Sequence, residues 1–254
     1  MFIKNYQFFL ALTSFYKNLL FKKKKNGIRV LMYHSIIDDD DIYTDLFQVK
    51  KSNFYSQMKF LKENNYNIVD SKLSNFIENK INILITFDDG NISLVKNAFP
   101  ILNNFSFTYL IFIIASNLMN NTKNFIKKDS MKDNTNLCTY GSHGYFHEDF
   151  RKKETSKLQE ELTKSKNIIE EYSCKKVEDI SFPFGLYNSK TLIACKQAGF
   201  KKGFNSKIYI NKKNFFLNNF EIYRTPIWCV DTIDTFIDKI NGFYDWYFLK
   251  NYIR

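Results

Sequence analysis

Short apolar stretches alternate with stretches of helical periodicity along most of this chain, and this alternation constrains its fold more than any other feature. Buried strands are predicted for residues 28–33, 81–87 and 107–114, and a long charged helix for residues 154–172. Strands that alternate with helices form parallel sheets with crossover helices. The chain is therefore predicted to be an α/β protein whose sheet is either closed into a barrel or doubly wound.

Shorter elements continue the pattern. Phe54, Met58 and Leu61 lie at helical spacing, and a second helix is predicted to end at Ile77. The polar residues 117–136 are predicted to form a surface loop or insertion. Further strands are predicted for residues 66–69, 180–183 and 200–204, and further helices for residues 92–102, residues 188–198 and the stretch that begins near residue 232.

The composition is typical of a globular protein, with 44% hydrophobic and 25% charged residues among 254. No long linker divides the pattern, so residues 26–254 are predicted to form one domain. The cysteines include no CxxC pair, so we expect reduced thiols, with neither a structural zinc site nor a disulfide framework. These cysteines are Cys138, Cys174, Cys195 and Cys229.

The N-terminal residues 1–25 form a segment rich in aromatic residues and leucine that ends in four consecutive lysines, residues 22–25. Its longest uninterrupted apolar stretch, residues 8–12, is far shorter than the roughly 20 residues that span a bilayer. The positive charge follows the apolar part, which is not the order of a signal peptide. Two predictions remain open, namely an amphipathic helix in a membrane interface and a helix packed on the protein's own core.

The chain carries a formal net charge of +11. This charge fits either a solvated lysine-rich surface or attraction to an anionic partner, such as lipid headgroups or a phosphorylated glycan carrier. No zinc-finger spacing, helix-turn-helix signal or ribonucleoprotein motif is present, so we expect no nucleic-acid partner.

All three histidines of the chain follow predicted strands. His34 follows the first strand, and His143 and His147 follow a strand that ends near residue 142. Asp88 and Asp89 directly follow the strand predicted for residues 81–87. Because catalytic groups in such folds collect at the carboxyl ends of parallel strands, these side chains are predicted to share one site.

The spacing of His143 and His147 lets two imidazoles reach one metal ion from a helical turn or a tight loop, and a carboxylate would complete the ligand set. Neighbouring Asp88 and Asp89 point in different directions, so one can bind a metal while the other faces a substrate. Each signal alone also has a plainer interpretation, a surface histidine pair and a turn dipeptide before Gly90. Together they favour a metal-dependent site.

Residues 86–90 (TFDDG) and 142–147 (SHGYFH) resemble the first two signature motifs of the polysaccharide deacetylase family, carbohydrate esterase family 4. Residues 182–185 (FPFG) resemble the third motif in a variant without its usual arginine, and the similarity extends over residues 28–227. The resemblance implies a distorted (β/α) barrel and metal-dependent removal of acetyl groups from sugars, usually N-acetylhexosamines. The domain of residues 26–254 would then be the catalytic domain.

The resemblance also implies roles for individual residues. Asp89, His143 and His147 would bind a divalent metal, with Zn²⁺ as the default and Co²⁺, Ni²⁺ and Mn²⁺ as alternatives. Asp88 would be the general base that takes the proton of a metal-activated water.

The third motif is expected to face the substrate. The resemblance places Pro183, Phe184 and Tyr187 on the substrate side, where a backbone N–H near Phe184 would stabilise the oxyanion. Because the usual arginine is missing, Arg224 is the candidate for a residue that orients the base. The alternative interpretation of Arg224 is a structural ion-pair residue.

Residues 31–36 (LMYHSI) resemble the N-terminal Tyr-His element of a circularly permuted branch of the family, which includes deacetylases of poly-N-acetylglucosamine biofilm polymers. This resemblance implies that His34 protonates the leaving amine. The alternative is a histidine that merely caps a strand end.

These observations predict a metal-dependent hydrolase that removes N-acetyl groups from a hexosamine in a surface glycan or in its lipid-linked or lipopolysaccharide precursor. The basic N-terminus favours a cytoplasmic enzyme that is peripheral at the inner face of the membrane. An O-acetyl esterase and a catalytically inactive glycan-binding relative are the alternative functions.

Overall fold

The computed structural model describes residues 26–132, 136–217 and 219–245. The predicted amphipathic segment of residues 1–25 lies outside these ranges. Within them, no helix combines the length and apolar character that a bilayer span requires.

Ten β-strands lie within the described residues. Their bounds are β1 Gly27–Tyr33, β2 Ser35–Ile37, β3 Gln48–Lys50, β4 Asn67–Ile68, β5 Ile81–Phe87, β6 Tyr109–Ile113, β7 Cys138–Ser142, β8 Asp179–Ser181, β9 Lys202–Phe204 and β10 Thr225–Pro226. Seven of them form a parallel sheet in the order β10-β1-β5-β6-β7-β8-β9, and β4 pairs with the beginning of β5. Strands β2 and β3 form a separate parallel pair.

The two ends of this sheet are joined by one segment, residues 222–226. Ile222 pairs in parallel with Phe204 of β9, and the N–H of Asn205 donates to its carbonyl at 2.9 Å. A few residues later the same segment pairs with β1 through β10. The sheet therefore curves into a distorted (β/α) barrel, as the motif resemblance implies, and is not doubly wound.

Helices surround the sheet. Their bounds are α1 Lys51–Glu63, α2 Phe99–Phe105, α3 Ala115–Met119, α4 Lys128–Lys132, α5 Thr155–Ser173, α6 Ser189–Gln197, α7 Lys213–Leu217 and α8 Ile233–Asn241. A π-helical turn, Leu94–Ala98, leads into α2, and 3₁₀ turns cover Phe150–Lys152 and Pro183–Gly185.

The core follows from the sequence pattern. Strand β5 is buried at all seven residues, which is typical of a parallel strand covered on both faces. Helix α1 buries Phe54, Met58 and Leu61, so that its predicted apolar face is confirmed. The four cysteines are unpaired, as predicted.

The helix predicted to end at Ile77 is absent. Residues 70–79 form turns because the carboxylate of Asp70 accepts the N–H groups of Lys72 and Ser74, each at 3.0 Å. Such side-chain bonds offer the backbone an alternative to a helix. Leu73 then adopts a φ of 58°, which is incompatible with an α-helix.

The described residues of the stretch 117–136, which are 117–132 and 136, are more structured than the predicted surface loop. It contains the end of α3 and the whole of α4, and both Ile126 and Met131 are buried in the core. The N–H of Ile126 also donates to the carbonyl of Gly90 at 2.9 Å. Leu118, Ile126 and Met131 therefore pack this otherwise polar stretch against the barrel.

Two substitutions test the assignments of the α6 cap and of the α5 interior. Asn188 caps α6 through a reciprocal pair of bonds with Thr191, so Asn188→Ala should lower the free energy of unfolding by about 1 kcal/mol. Asn167 is exposed in the interior of α5, where alanine has the higher helix propensity, so Asn167→Ala should raise it by about 0.5 kcal/mol. Urea unfolding of both variants measures these changes. Effects of the same sign would contradict the two assignments.

Candidate metal centre and catalytic cavity

The carboxyl ends of β1, β5, β7 and β8 meet around a cavity of about 250 Å³. All three histidines and both predicted aspartates line it, as does Arg224. Residues far apart in sequence are therefore brought together as the motif positions predict. Further lining residues include Asp45, Phe47 and Ser206.

Three of these side chains form a compact donor group. Asp89 Oδ1 lies 3.5 Å from His143 Nε2 and 3.6 Å from His147 Nε2, and the ligand atoms of the three residues lie within 4.8 Å of one another. Asp89 Oδ1 is buried and accepts no hydrogen bond from the described residues. A buried carboxylate oxygen beside two imidazole nitrogens fits a divalent cation, because the cation would satisfy all three donors at once.

The orientation of His143 is set by a neighbouring strand. Its Nδ1 lies 2.9 Å from the carbonyl oxygen of Ser181, which can only accept, so Nδ1 carries the proton and Nε2 faces Asp89. Burial lowers the pKa of His143 against the opposing effect of Asp88 and Asp89, which favours the neutral ring that a metal ligand requires.

Three non-glycine residues of the site have left-handed backbone conformations, namely Asp89 (φ 68°), His147 (φ 59°) and Phe184 (φ 59°). Such conformations cost free energy and accumulate at functional sites. The left-handed turn at Asp89 separates its carboxylate from that of Asp88. His143 and His147 lie on a tight loop, which decides between the two geometries left open by their spacing.

Asp88 and Arg224 form a buried bidentate ion pair. Arg224 donates to Asp88 Oδ1 at 2.6 Å and to Oδ2 at 2.8 Å, and its Nε donates to the carbonyl of Asn205 at 2.8 Å. The Ser181 hydroxyl accepts from Arg224 at 2.8 Å and donates to Asp88 Oδ2 at 3.2 Å. Burial raises the pKa of Asp88, but Arg224 and His143 outweigh it and hold the pKa well below its usual range. The carboxylate is therefore ionised.

His34 lies in the same cavity, half-buried against Phe47. The two rings are stacked with centroids 4.4 Å apart, and His34 Nδ1 is buried without a hydrogen-bond partner among the described residues. Burial lowers the pKa of His34, while the carboxylates of Asp88 and Asp45 oppose this effect.

The third-motif residues differ in their placement. Phe184 lines the cavity with a 62% exposed ring, whose centroid is 4.6 Å from that of His147. Pro183 is buried and does not line the cavity. Tyr187 does not line it either, because its hydroxyl donates to Glu221 at 2.6 Å and its ring stacks on Phe182.

Sequence reasoning did not identify Ser181, Asp45 or Phe47. Ser181 ends β8 directly before the third motif, and this position is the signal that would have found it. Asp45 and Phe47 belong to the loop between β2 and β3, and no pattern in the sequence indicates that this loop reaches the cavity.

A (β/α) barrel that gathers this donor group and a buried carboxylate at the carboxyl ends of its strands has the arrangement expected of a hydrolase whose site could hold a metal ion. A sequence model of the polysaccharide deacetylase family matches residues 77–203, half of the chain. The chain belongs to that family, which confirms the motif resemblance.

Individual relatives agree with this assignment. YxkH of Bacillus subtilis (strain 168) is 27% identical over 191 residues, which are 71% of this chain and 65% of YxkH. The poly-beta-1,6-N-acetyl-D-glucosamine N-deacetylase of Staphylococcus aureus (strain MRSA252) is 26% identical over 88% of this chain and 86% of its own length. The crystal structure of BC0361, a polysaccharide deacetylase from Bacillus cereus, superimposes with a TM-score of 0.74 at 27% identity and covers 85% of this chain and 69% of BC0361.

The Asp88–Arg224 pair can be tested by a double-mutant cycle. Arg224→Met should lower the free energy of unfolding by about 3–5 kcal/mol, because it leaves a carboxylate buried without its partner. Combining Arg224→Met with Asp88→Asn should recover part of that loss, since no uncompensated charge remains. Urea unfolding of the four proteins measures the coupling. Strictly additive losses would show that the pair is not coupled.

Proposed function

We propose that this protein is a metal-dependent de-N-acetylase that acts on an N-acetylhexosamine within a glycan or a glycan precursor. The observation that carries the proposal is the ionised Asp88, locked by Arg224 beside the donor group of Asp89, His143 and His147. The name of the Staphylococcus aureus relative supports an N-acetylated hexosamine as the substrate class.

The donor group would hold one divalent ion, with Zn²⁺ as the default for two imidazoles and one carboxylate. Such an ion supplies Lewis acidity, which polarises the acetyl carbonyl and lowers the pKa of a bound water.

The base and the acid come from the chain itself. Asp88 Oδ2 lies 3.8 Å from His143 Nε2, close to the donor group, so its carboxylate is placed to take a proton from the attacking water. His34 in the same cavity delivers a proton to the leaving nitrogen. A lowered pKa makes its imidazolium the stronger acid, and the stacked Phe47 ring fixes its orientation.

The shape of the cavity favours a sugar residue that belongs to a larger molecule. The volume of about 250 Å³ suits one sugar with its acetyl group, and the exposed Phe184 ring stands beside His147 where further sugar residues would pass. A surface glycan and its lipid-linked or lipopolysaccharide precursor both meet this description.

Acetate and free amine released from a panel of N-acetylhexosamine polymers, lipid-linked sugars and lipopolysaccharide core fragments test the activity. Asp88→Asn should lower kcat by about 10²–10⁴-fold, because the general base is lost. A chelator should abolish turnover and Zn²⁺ should restore it. Asp129→Asn, an exposed aspartate on α4, is the matched control and should leave kcat unchanged.

Two results would contradict the proposed de-N-acetylase activity and identify one of the alternative functions. Acetate release without new amine would identify an O-acetyl esterase, which uses the same machinery on an ester. Equal glycan binding with and without metal, together with no acetate from any substrate, would identify an inactive glycan-binding relative.

We also propose that the enzyme works at the inner face of the cytoplasmic membrane, through the lysines of residues 22–25 and the aromatic residues before them. Replacing all four lysines by glutamine should abolish sedimentation with vesicles that contain anionic lipid, since each lysine near such a surface contributes about 1 kcal/mol. Vesicles of neutral lipid are the control. Equal sedimentation of the variant, or recovery of the protein from the periplasm, would contradict this placement.

A further inference from the structure

The loop between His143 and His147 is held by hydrogen bonds to the backbone N–H groups and carbonyls of both Gly144 and Tyr145. The N–H of Gly144 donates to Ser142 Oγ at 3.1 Å, and the N–H of Tyr145 donates to Glu161 Oε1 at 3.2 Å. Both carbonyls accept N–H groups from the first turn of α3, at 3.1 and 3.0 Å. The spacing between the histidine ligands is therefore set by neighbouring elements.

Glu161 is an unusual member of this set. It lies within α5 and is only 8% exposed, although glutamate is almost never buried without a partner. Its second oxygen pairs with Lys153, and Lys153 also pairs with Glu148 at 2.8 Å. Since Glu148 directly follows His147, the Glu161 carboxylate supports the loop on both sides of His147, directly at Tyr145 and through Lys153 at Glu148.

The acceptor of the Tyr145 N–H is a carboxylate that is itself paired with Lys153. The length of the Glu161 side chain brings its oxygen to the Tyr145 N–H, and the contact with Lys153 keeps the side chain in that position. We propose that Glu161 is a positioning residue that holds His147 in place for the metal and so sets the metal affinity of the site.

The effect should fall on His147 more than on His143. His143 directly follows β7 and has its own bond to the Ser181 carbonyl. His147 is 26% exposed at its side chain and has a left-handed backbone. Without the brace, that strained conformation would relax and His147 Nε2 would move away from Asp89 Oδ1.

This inference rests on the metal site proposed above, so its test uses metal affinity and not turnover. Glu161→Gln keeps an acceptor of the same length, whereas Glu161→Asp keeps the charge but is one methylene too short to reach the Tyr145 N–H. Glu160→Gln and Glu160→Asp, at the exposed neighbouring position, are the matched controls.

Zn²⁺ dissociation constants of the full chain are measured by competition with a chromophoric chelator, and the visible spectrum of the Co²⁺-loaded protein reports the coordination. Glu161→Asp should weaken Zn²⁺ binding by about 10–100-fold and change the Co²⁺ spectrum, which is the usual effect of losing a group that orients a ligand. Glu161→Gln should stay within about threefold of the unchanged protein, because its acceptor is retained. Both Glu160 variants should bind as the unchanged protein does.

Lys153→Gln tests the same contacts with Glu161 in place, and it remains informative if Glu161→Asp fails to fold. The Lys153 side chain is 20% exposed, and its loss would free Glu148 and one oxygen of Glu161. This variant should weaken Zn²⁺ binding by a smaller factor than Glu161→Asp does. The proposal is overturned if Glu161→Asp and Lys153→Gln bind Zn²⁺ as tightly as the unchanged protein, or if Glu161→Gln loses as much affinity as Glu161→Asp. An unchanged protein that binds no divalent ion would overturn the metal site itself, which is a separate failure.

Discussion

The buried pair between Asp88 and Arg224 is the interaction on which both the barrel and the site depend. Asp88 follows β5, and Arg224 lies in the segment of residues 222–226 that joins the two ends of the sheet. Because a carboxylate and a guanidinium in a dry interior are costly unless they are paired, the pair holds the closing segment against the end of β5. The pair that orients the Asp88 carboxylate thus also fastens the barrel.

Ser181 connects this pair to the donor group of Asp89, His143 and His147. Its hydroxyl lies between Arg224 and Asp88, while its carbonyl accepts the proton of His143 Nδ1. A shift of β8 would therefore disturb Asp88 and His143 together. His147, the other imidazole of the donor group, depends on a different support, the loop that contacts α5.

The parts of the molecule that could be predicted are those whose signals are local. Continuous apolar stretches located the main strands, and the motif residues identified the family, its barrel and the set of chemical groups. The helix expected to end at Ile77 was wrong because the Asp70 side chain competes for the backbone N–H groups of its own turn. That competition depends on side-chain geometry, which helical periodicity does not report.

By itself, the sequence determined the main alternation of strands and helices and the positions of His34, Asp88, Asp89, His143 and His147 at strand ends, because these follow from chemistry and periodicity along the chain. It left two roles open for Arg224, namely a residue that orients the base and a structural ion-pair residue. Only the tertiary structure decided that Arg224 reaches Asp88 across 136 residues, and that Phe47 and Glu161 support the two ends of the site. Contacts between residues so far apart depend on how the barrel closes and how α5 packs on it, which no local pattern encodes.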